Sequence, residues 1–349
     1  MAVVHRAESR KPDSLGRIVA LKRLLPQNEF DLDFDVVRSF VDEARLATRF
    51  DHVNIANTYS LGKIHRSYFI EMEYVPGPTL LQVAAQCETA AGAMPVSVIV
   101  QILIQICDAL DHVHTMRDDA GRALNLVHRD VSPSNIIVSD AGIVKLIDFG
   151  IVKGHSSQAT AAGTIKGKLA YIAPEYLVGQ LDSRADLYAL GVIAHELLTG
   201  RRLFHGETDL DTLTRIRELH VPPPSRSRAE IAPALDAIVM KALERNPDRR
   251  WQTAREMRAA LLELHQTPPE AVREWTTWAF AQQPWSDSSQ LLRVIDSLAR
   301  PTIIVDLATQ LESEAPAAAT PGGGVLQLVL GGLVASTVSL GLIIGYLLG

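Results

Sequence analysis

Cysteine is scarce in this chain, and the scarcity excludes a disulfide scaffold as the basis of its fold. Only Cys87 and Cys107 occur among 349 residues, and their number and spacing fit no structural metal site. A chain of this length buries enough apolar surface to fold without covalent staples. We therefore expect both thiols to be small core residues of a protein folded in a reducing compartment.

An excess of positive charge is also lacking. The formal net charge is −6, from 34 basic and 40 acidic residues, so the composition gives no reason to expect nucleic acid as the main partner. The net charge does not exclude local basic patches. The sequence contains no visible internal repeat.

Charged residues are absent from Val325 to Leu348, a run of apolar and small residues. At about 1.5 Å of rise per residue, a helix of this length crosses a hydrocarbon core of about 30 Å. A buried helix is the alternative, but it needs a surrounding domain, and only Gly349 follows. Since the N-terminus has no such run, we expect a C-terminal membrane anchor. Gly341 and Gly345 have a spacing that lets membrane helices approach, so a homodimer is possible.

The first part of the chain has the pattern of a small β-rich region with one helix. The runs "AVVHRA" and "RIVALKRL" flank a turn-prone segment and predict a hairpin. Apolar residues three and four apart in "DVVRSFVDEARLATRF" predict an amphipathic helix. Two further strands are predicted around "IANTYSLGKI" and "SYFIEMEYV".

Long helices dominate from about residue 79. The most apolar, "PVSVIVQILIQICDALDHVH", is predicted to be central to a larger lobe, and others are predicted near residues 184–199, 229–244 and 253–265. A Trp-bearing helix, "EAVREWTTWAFAQQ", begins a region of unassigned role. The segment "ESEAPAAATPGGG" is typical of a flexible linker.

The strongest signal is a set of motifs in a fixed order: "VALK", "VHRDVSPSNIIV", "VKLIDFG" and "AYIAPE". With these motifs the chain resembles a protein kinase of the eukaryotic type, close to the bacterial serine/threonine kinases that carry a membrane anchor. The resemblance covers residues 1 to about 266. It implies an α+β, two-lobed protein-kinase fold, with a small β-rich N-lobe and a larger helical C-lobe, plus the C-terminal transmembrane helix.

The resemblance and the composition together divide the chain into five parts. These are the N-lobe at 1–75, the C-lobe at 76–266, a helical extension of unknown role at 267–311, a linker at 312–324 and the transmembrane helix at 325–348.

The family's chemistry needs positioning and neutralisation of spread negative charge more than covalent steps. The resemblance implies ATP and Mg²⁺ as cofactors. It implies that Lys22 holds the α and β phosphates, that Glu43 pairs with Lys22, and that Asp130 is the catalytic base. Asn135 and Asp148 would hold Mg²⁺ through the hard oxygen ligands that this cation prefers.

Adenine recognition is implied around the hinge that follows the fourth strand. Met72 would begin this hinge, and backbone groups at Glu73 and Val75 would meet the base. Val4 would cover the base from above, and Ala20 would be a further nucleotide-binding residue.

Other matches imply structural roles. His128 and Phe149 resemble internal spine residues of the family. Glu175 would pair with Arg250, and Asp186 would brace the catalytic loop.

The chain departs from the family at the glycine-rich loop, G-x-G-x-x-G-x-V, which covers the phosphates. Val4 aligns with the last residue of that loop, so the first strand and most of the loop are absent. Glycine matters there because the backbone must approach the phosphates without a Cβ atom in the way. We favour a true start upstream of Met1, and the alternative is a trimmed kinase with a weaker hold on ATP.

A second departure is Ser132, which stands where the family's serine/threonine kinases usually have a lysine that neutralises the γ phosphate. Lys168, in "KGKLAYIAPE", stands where threonine is common. We expect Lys168 either to supply the missing charge as a catalytic residue or to point to solvent or substrate. In the activation segment, Thr160 and Thr164 are candidate phosphorylation sites whose phosphate would pair with Arg129.

The predicted function is transfer of the γ-phosphoryl group of ATP to Ser or Thr hydroxyls of proteins, this chain included, at the cytoplasmic face of the cell inner membrane. The alternative is a pseudokinase or truncated kinase that acts as a membrane-tethered binding scaffold. The missing glycines and Ser132 favour that alternative, and the intact set of charged motif residues opposes it. A small-molecule phosphotransferase is less favoured, because "APE" and a long activation segment belong to protein substrates in the family.

Overall fold

A computed structural model describes residues 2–9, 14–24, 34–64, 67–150, 168–179, 181–264, 268 and 270–282. The N-lobe contains an antiparallel sheet of four strands in the order β1-β2-β4-β3, together with one helix. These elements are β1 (Ala2–Glu8), β2 (Ile18–Leu24), α1 (Phe34–Ala47), β3 (Thr58–Ile64) and β4 (Ser67–Glu73). The predicted hairpin and amphipathic helix are confirmed.

The register of the sheet places the predicted nucleotide-binding residues on one face. Val4 pairs with Lys22 across β1 and β2, and Ala20 pairs with Met72 across β2 and β4. Because residues two apart on a strand share a face, all four side chains lie on the same side of the sheet. Ile70, which pairs with Lys22, belongs to this face as well and packs against α1.

The C-lobe contains the large apolar core of the described part of the chain. Its elements are α2 (Leu80–Gln86), α3 (Val96–His114), the hairpin β5 (Ile136–Val138) and β6 (Val144–Leu146), α4 (Arg184–Thr199), α5 (Asp209–Glu218), α6 (Pro233–Ala242), α7 (Ala254–Leu264) and α8 (Glu270–Gln282). Within the described ranges, α3 alone has the length and apolar composition of a membrane-spanning helix. Its place in the middle of the C-lobe core accounts for that composition.

Helix α4 has the predicted bounds, whereas α6 is shorter than the predicted span 229–244. It begins at Pro233, whose fixed φ angle and missing N–H suit the first helical position. Cys107 is fully buried, as expected, but Cys87 is only half-buried. Burial raises the pKa of the Cys87 thiol to about 11, so this cysteine is a weak nucleophile at neutral pH.

Helix α8 lies in the predicted extension 267–311 and is docked on the C-lobe. The buried side-chain amide of Gln86 donates to the carbonyl of Ala279 at 2.9 Å. Gly142, in the turn between β5 and β6, approaches Arg273 so closely that a Cβ atom there would lie 2.8 Å from the Arg273 Cβ. The linker and the predicted transmembrane helix at 325–348 lie outside the described residues.

Candidate active site

Three charged side chains link the two lobes. Lys22 on β2 donates to Glu43 on α1 at 3.0 Å and to Asp148, after β6, at 2.9 Å. Burial alone lowers the pKa of Lys22, but the two carboxylates outweigh it and raise that pKa above its ordinary value. The predicted pairing of Lys22 with Glu43 is therefore present, and the amine stays protonated.

A buried carboxylate on α4 holds the backbone of the catalytic loop in place. Asp186 accepts the backbone N–H of His128 at 2.8 Å and that of Arg129 at 2.9 Å. Its Oδ2 also lies 2.8 Å from Nε2 of His114. Burial opposes ionisation, yet these hydrogen bonds hold the pKa of Asp186 below its ordinary value. The predicted bracing of the loop by Asp186 is confirmed.

Asp130 lies at the point where the catalytic loop meets Asn135 and Lys168. The side-chain amide of Asn135 donates to the Asp130 carbonyl at 2.9 Å. The Lys168 amine donates to Oδ2 of Asp130 at 2.8 Å. Lys168 is thus directed at the catalytic loop, one of the two placements expected from the sequence. Ser132 is buried, and its hydroxyl lies 3.0 Å from that of Ser134.

Two motif residues have left-handed backbone conformations. The φ angles of Arg129 and Asp148 are 65° and 54°, a region that costs a residue with a side chain about 1–3 kcal/mol. Such conformations persist only where the surroundings fix them. The contact of Asp186 with Arg129 and the ion pair of Lys22 with Asp148 supply that restraint.

The oxygen atoms present fit Mg²⁺. Asn135 uses its amide nitrogen on the Asp130 carbonyl, which turns its Oδ1 away from that bond, and Asp148 contributes a carboxylate. No cluster of three or more His, Cys, Asp or Glu residues in the described ranges would hold a metal by itself. Mg²⁺ ordinarily takes one or two protein ligands and completes its shell with phosphate and water. Asn135 and Asp148 would be such a pair, since the backbone N–H of Ile147, next to Asp148, donates to the Asn135 carbonyl at 2.9 Å.

Aromatic contacts hold the segment around Asp148. The Phe149 ring stacks on Phe50 with centroids 4.4 Å apart and lies 4.6 Å from the His128 ring. The predicted internal packing of His128 and Phe149 is therefore present.

Another structural prediction is confirmed in the C-lobe, where Arg250 donates to both carboxylate oxygens of Glu175 at 2.6 Å.

The hinge has a partner that the sequence analysis did not identify. The Glu73 carboxylate accepts the Lys145 amine at 3.0 Å and the backbone N–H of Asn57 at 3.1 Å. Val75, which follows, is buried. In the sequence, only the position of Lys145 between the two apolar residues of "VKL" indicated that its side chain would lie on the other face of a short strand. His114, the partner of Asp186, was signalled only by its place at the end of a long apolar helix.

The candidate phosphorylation sites Thr160 and Thr164 lie outside the described residues. Their expected partner, Arg129, has a buried Nε atom that lacks a hydrogen-bond partner within the described ranges.

Comparison with known proteins gives one family and many relatives. Residues 4–261 match the family model described as the protein kinase domain. The chain is 38% identical over 263 residues to the tyrosine-protein kinase MasK of Myxococcus xanthus, and this alignment covers 75% of this chain and 40% of MasK. It is 35% identical over 285 residues to the serine/threonine-protein kinase PknB of Mycobacterium leprae, covering 79% and 43%. It is 34% identical over 247 residues to the serine/threonine-protein kinase PrkC of Bacillus subtilis, covering 70% and 36%.

The match is therefore partial with respect to these relatives, since this chain spans about two fifths of their length. Helix α8 lies beyond the matched residues.

Proposed function

Because this chain belongs to the protein kinase family, we propose that it transfers the γ-phosphoryl group of ATP to Ser or Thr hydroxyls of proteins, itself included. The observation that carries the proposal is that Lys22 pairs with Glu43 of its own lobe and with Asp148 of the other, while Asp130 pairs with Lys168. The relatives PknB and PrkC, named serine/threonine kinases, support the acceptor class, while MasK is named a tyrosine kinase.

The roles of the chain's own residues follow from their positions. Asp130 would orient the acceptor hydroxyl and take its proton. Lys22 would hold the phosphates of the nucleotide, and its pairs with Glu43 and Asp148 fix its amine in the cleft between the lobes. Mg²⁺, held by Asn135 and Asp148, would supply neutralisation of the phosphate charge.

Adenine would sit against the sheet face that carries Val4, Ala20 and Met72. Backbone groups at Glu73 and Val75 would meet its edge, because β4 ends at Glu73 and the chain then continues toward α2.

Lys168 would supply the positive charge that the family's serine/threonine kinases usually have at the position of Ser132. Ser132 is neutral and buried, so it brings no charge to the transferred phosphate. The Lys168 amine is 2.8 Å from the carboxylate of Asp130, the group that would orient the acceptor hydroxyl, although 41% of the Lys168 side chain is exposed. This contact supports the catalytic alternative over one in which Lys168 faces solvent.

Replacement of Lys168 by alanine tests this role. We expect kcat to fall by about 100-fold, as for loss of one group that stabilises transition-state charge, with KM for ATP changed far less. Lys63→Ala, at an exposed lysine on β3, is the matched control. An unchanged kcat for Lys168→Ala would refute the role.

The function itself is tested by phosphate transfer from labelled ATP with the purified full chain and Mg²⁺, beside Asp130→Asn. Label on serine or threonine that disappears in the variant supports the proposal. Label on tyrosine alone would move the chain to the acceptor class named for MasK. No label in either protein would favour the binding scaffold.

Phosphorylation of Thr160 or Thr164 would regulate the kinase by pairing a phosphate with Arg129. The buried Nε of Arg129 supports this, because a half-buried guanidinium gains from a charge-assisted hydrogen-bond partner. Mass spectrometry of the active protein tests it, and activity without phosphate on either threonine would exclude it.

The uncharged run 325–348 supports a further proposal, that the chain is anchored in the inner membrane with the kinase domain in the cytoplasm, where ATP is present. Val338→Arg places a charge at the centre of this run, at a cost of about 2.5–3.5 kcal/mol for insertion. We expect the full chain in the membrane fraction of cells and more of the variant in the supernatant. Equal partitioning would contradict the anchor.

The spacing of Gly341 and Gly345 supports a homodimer, which Gly345→Leu would weaken in cross-linking experiments.

A further inference from the structure

A cavity of about 210 Å³ lies in the C-lobe, apart from the cleft that holds Lys22 and Asp148. Its walls are largely apolar. They include Leu81 and Ala84 of α2, the buried Met94, and Ile193 and Leu197 of α4. A cavity of about 150 Å³ with similar walls is enough to hold benzene, so this one accommodates a large aliphatic or aromatic side chain.

The cavity adjoins the catalytic loop. Pro133, three residues after Asp130, forms part of its wall. Tyr171, another wall residue, lies three residues after Lys168, whose amine contacts the Asp130 carboxylate. A polypeptide whose hydroxyl reaches Asp130 would therefore bring its neighbouring residues close to this cavity.

The carboxylate of Glu196, in the wall of the cavity, already has several partners. Glu196 accepts the Tyr171 hydroxyl at 2.7 Å and the backbone N–H of Leu203 at 3.0 Å. The guanidinium of Arg202 lies 3.7 Å from the same carboxylate and donates to the Tyr171 hydroxyl. A basic side chain entering the cavity would have to displace Arg202 to gain an ion pair with Glu196.

The rim carries charge of both signs, with cations in excess. Arg201 and Arg202 are exposed on one side, and Glu88 is exposed on the other. The rim therefore gives a basic side chain little advantage over an apolar one, whereas the walls favour the apolar one.

We propose that this cavity binds one large apolar side chain of the polypeptide substrate, at a fixed position beside the phosphorylated residue. The inference rests on the proposed function and names its substrate class: proteins with an apolar residue at that position. Burial of such a side chain improves kcat/KM by about 10-fold or more over alanine.

Peptide substrates test the proposal with the full chain. Each position flanking a serine acceptor is set in turn to Leu, Phe, Asp, Arg or Ala, and phosphate transfer and peptide binding by fluorescence anisotropy are both measured. We expect one position where Leu and Phe exceed Ala by about 10-fold. Ala84→Phe fills the cavity and should remove that preference. Ala85→Phe, on the exposed side of the same helix, is the matched control and should keep it.

A second variant keeps the test independent of the stability of Ala84→Phe. Arg202→Ala removes the cation beside the Glu196 carboxylate and should raise kcat/KM for the peptide with Arg at the selected position. Transfer without an apolar preference, or a preference equally strong in Ala84→Phe, would overturn this inference alone. Apolar-selective binding that Ala84→Phe abolishes, in a chain that transfers no phosphate, would support the cavity and overturn the proposed function.

Discussion

The two lobes hold their site residues by different means. In the N-lobe the sheet and α1 enclose a small core of their own, formed by Leu24, Phe40, Ala44 and Ile70. In the C-lobe a continuous apolar core extends from α3 through α4, α6 and α7, and it also receives Phe50 from the segment after α1. The N-lobe is thus attached through the segment after α1, where Asn54 and Ala56 hydrogen-bond to the backbone of Leu146. The ion pairs of Lys22 with Asp148 and of Glu73 with Lys145 add to this attachment.

The difference bears on how each half of the site is positioned. Lys22 and Glu43 retain 13% and 22% exposure of their side chains, so solvent shares in their charge interactions. Asp186 is 2% exposed and holds the catalytic loop through hydrogen bonds to backbone. We infer that the C-lobe half is preorganised by burial, whereas the N-lobe half depends on contacts between charged groups.

The largest effect on stability is expected where the C-lobe buries a charge. The Arg250 side chain is fully buried against Glu175, and removal of one partner from a buried pair costs about 3–5 kcal/mol. Arg250→Met should lower the free energy of unfolding by that amount, measured in urea. Trp251 lies in the C-lobe and Trp275 and Trp278 lie on α8, which is docked on it, so tryptophan fluorescence reports on this lobe.

A surface pair provides the control. Arg255 contacts Asp111 at 3.0 Å but is 74% exposed, so Arg255→Met should cost no more than about 1 kcal/mol. Adding Glu175→Leu to Arg250→Met should recover stability, because no unpaired charge remains. Equal losses for the two arginine variants would contradict the contrast between buried and exposed pairs.

A pair of core truncations tests whether the N-lobe core is separate. Phe40→Ala and Leu103→Ala each remove a buried side chain, at a cost of about 3 kcal/mol. Phe40→Ala should reduce hydrogen-exchange protection in β2 and β4 and weaken nucleotide binding, while α3 stays protected. Leu103→Ala should reduce protection in both lobes. Loss of protection in α3 upon Phe40→Ala would show that the lobes share one cooperative core.

Much of this arrangement could be predicted from sequence, because strongly periodic segments and ordered motifs carry it. The bounds of α4, the β1–β2 hairpin, and the contacts of Lys22 with Glu43 and of Arg250 with Glu175 all agree with the structure. The predicted roles of Lys168, Thr160 and Thr164 stay predictions.

Helices α2 and α5 were missed for different reasons. The seven residues of α2 are too few to display a period, although Thr79 and Gln82 form a capping box that could have marked its start. Helix α5 is mostly polar, with only Thr212 and Ile216 buried. The contacts of Glu196 with Tyr171 and Arg202 join distant segments, and no local pattern predicts them.

Two glycines with similar φ angles, Gly142 and Gly121, allow a turn that contacts α8 to be compared with a turn that does not. Gly142 and Gly121 have φ angles of +80° and +79°, but only Gly142 faces a neighbour, the backbone of Arg273 on α8 at 2.9 Å from an added Cβ. Alanine at either position costs about 1–2 kcal/mol of backbone strain. Gly142→Ala should cost about 1–3 kcal/mol more by overpacking. Equal urea midpoints for the two variants would show that α8 docks without this close approach.

Acid should lower the stability of the C-lobe, because this lobe contains a buried, uncharged histidine. Burial lowers the pKa of His128 from its ordinary value of 6.5, despite the nearby carboxylates of Asp186, Asp130 and Asp148 and with His114 adding to the decrease. The Nδ1 atom of His128 accepts the backbone N–H of Asp130 at 3.3 Å, which a proton on that nitrogen would prevent. Asp186, with its lowered pKa, loses its contribution only as the pH falls below about 3.8.

The smallest expected effect is the pH slope that His128 produces. Below pH 6.5 the unfolded chain binds a proton at this residue and the folded chain does not, so stability falls with pH by up to about 1.4 kcal/mol per unit. His128→Phe keeps a ring against Phe149 and removes the titration. The variant should differ from the original chain by a constant amount above neutrality, where both forms of the residue are uncharged, and should show a shallower slope below pH 6.5. An identical acid slope in urea unfolding of both chains would mean that other groups, such as the buried His195, carry the acid sensitivity of this lobe.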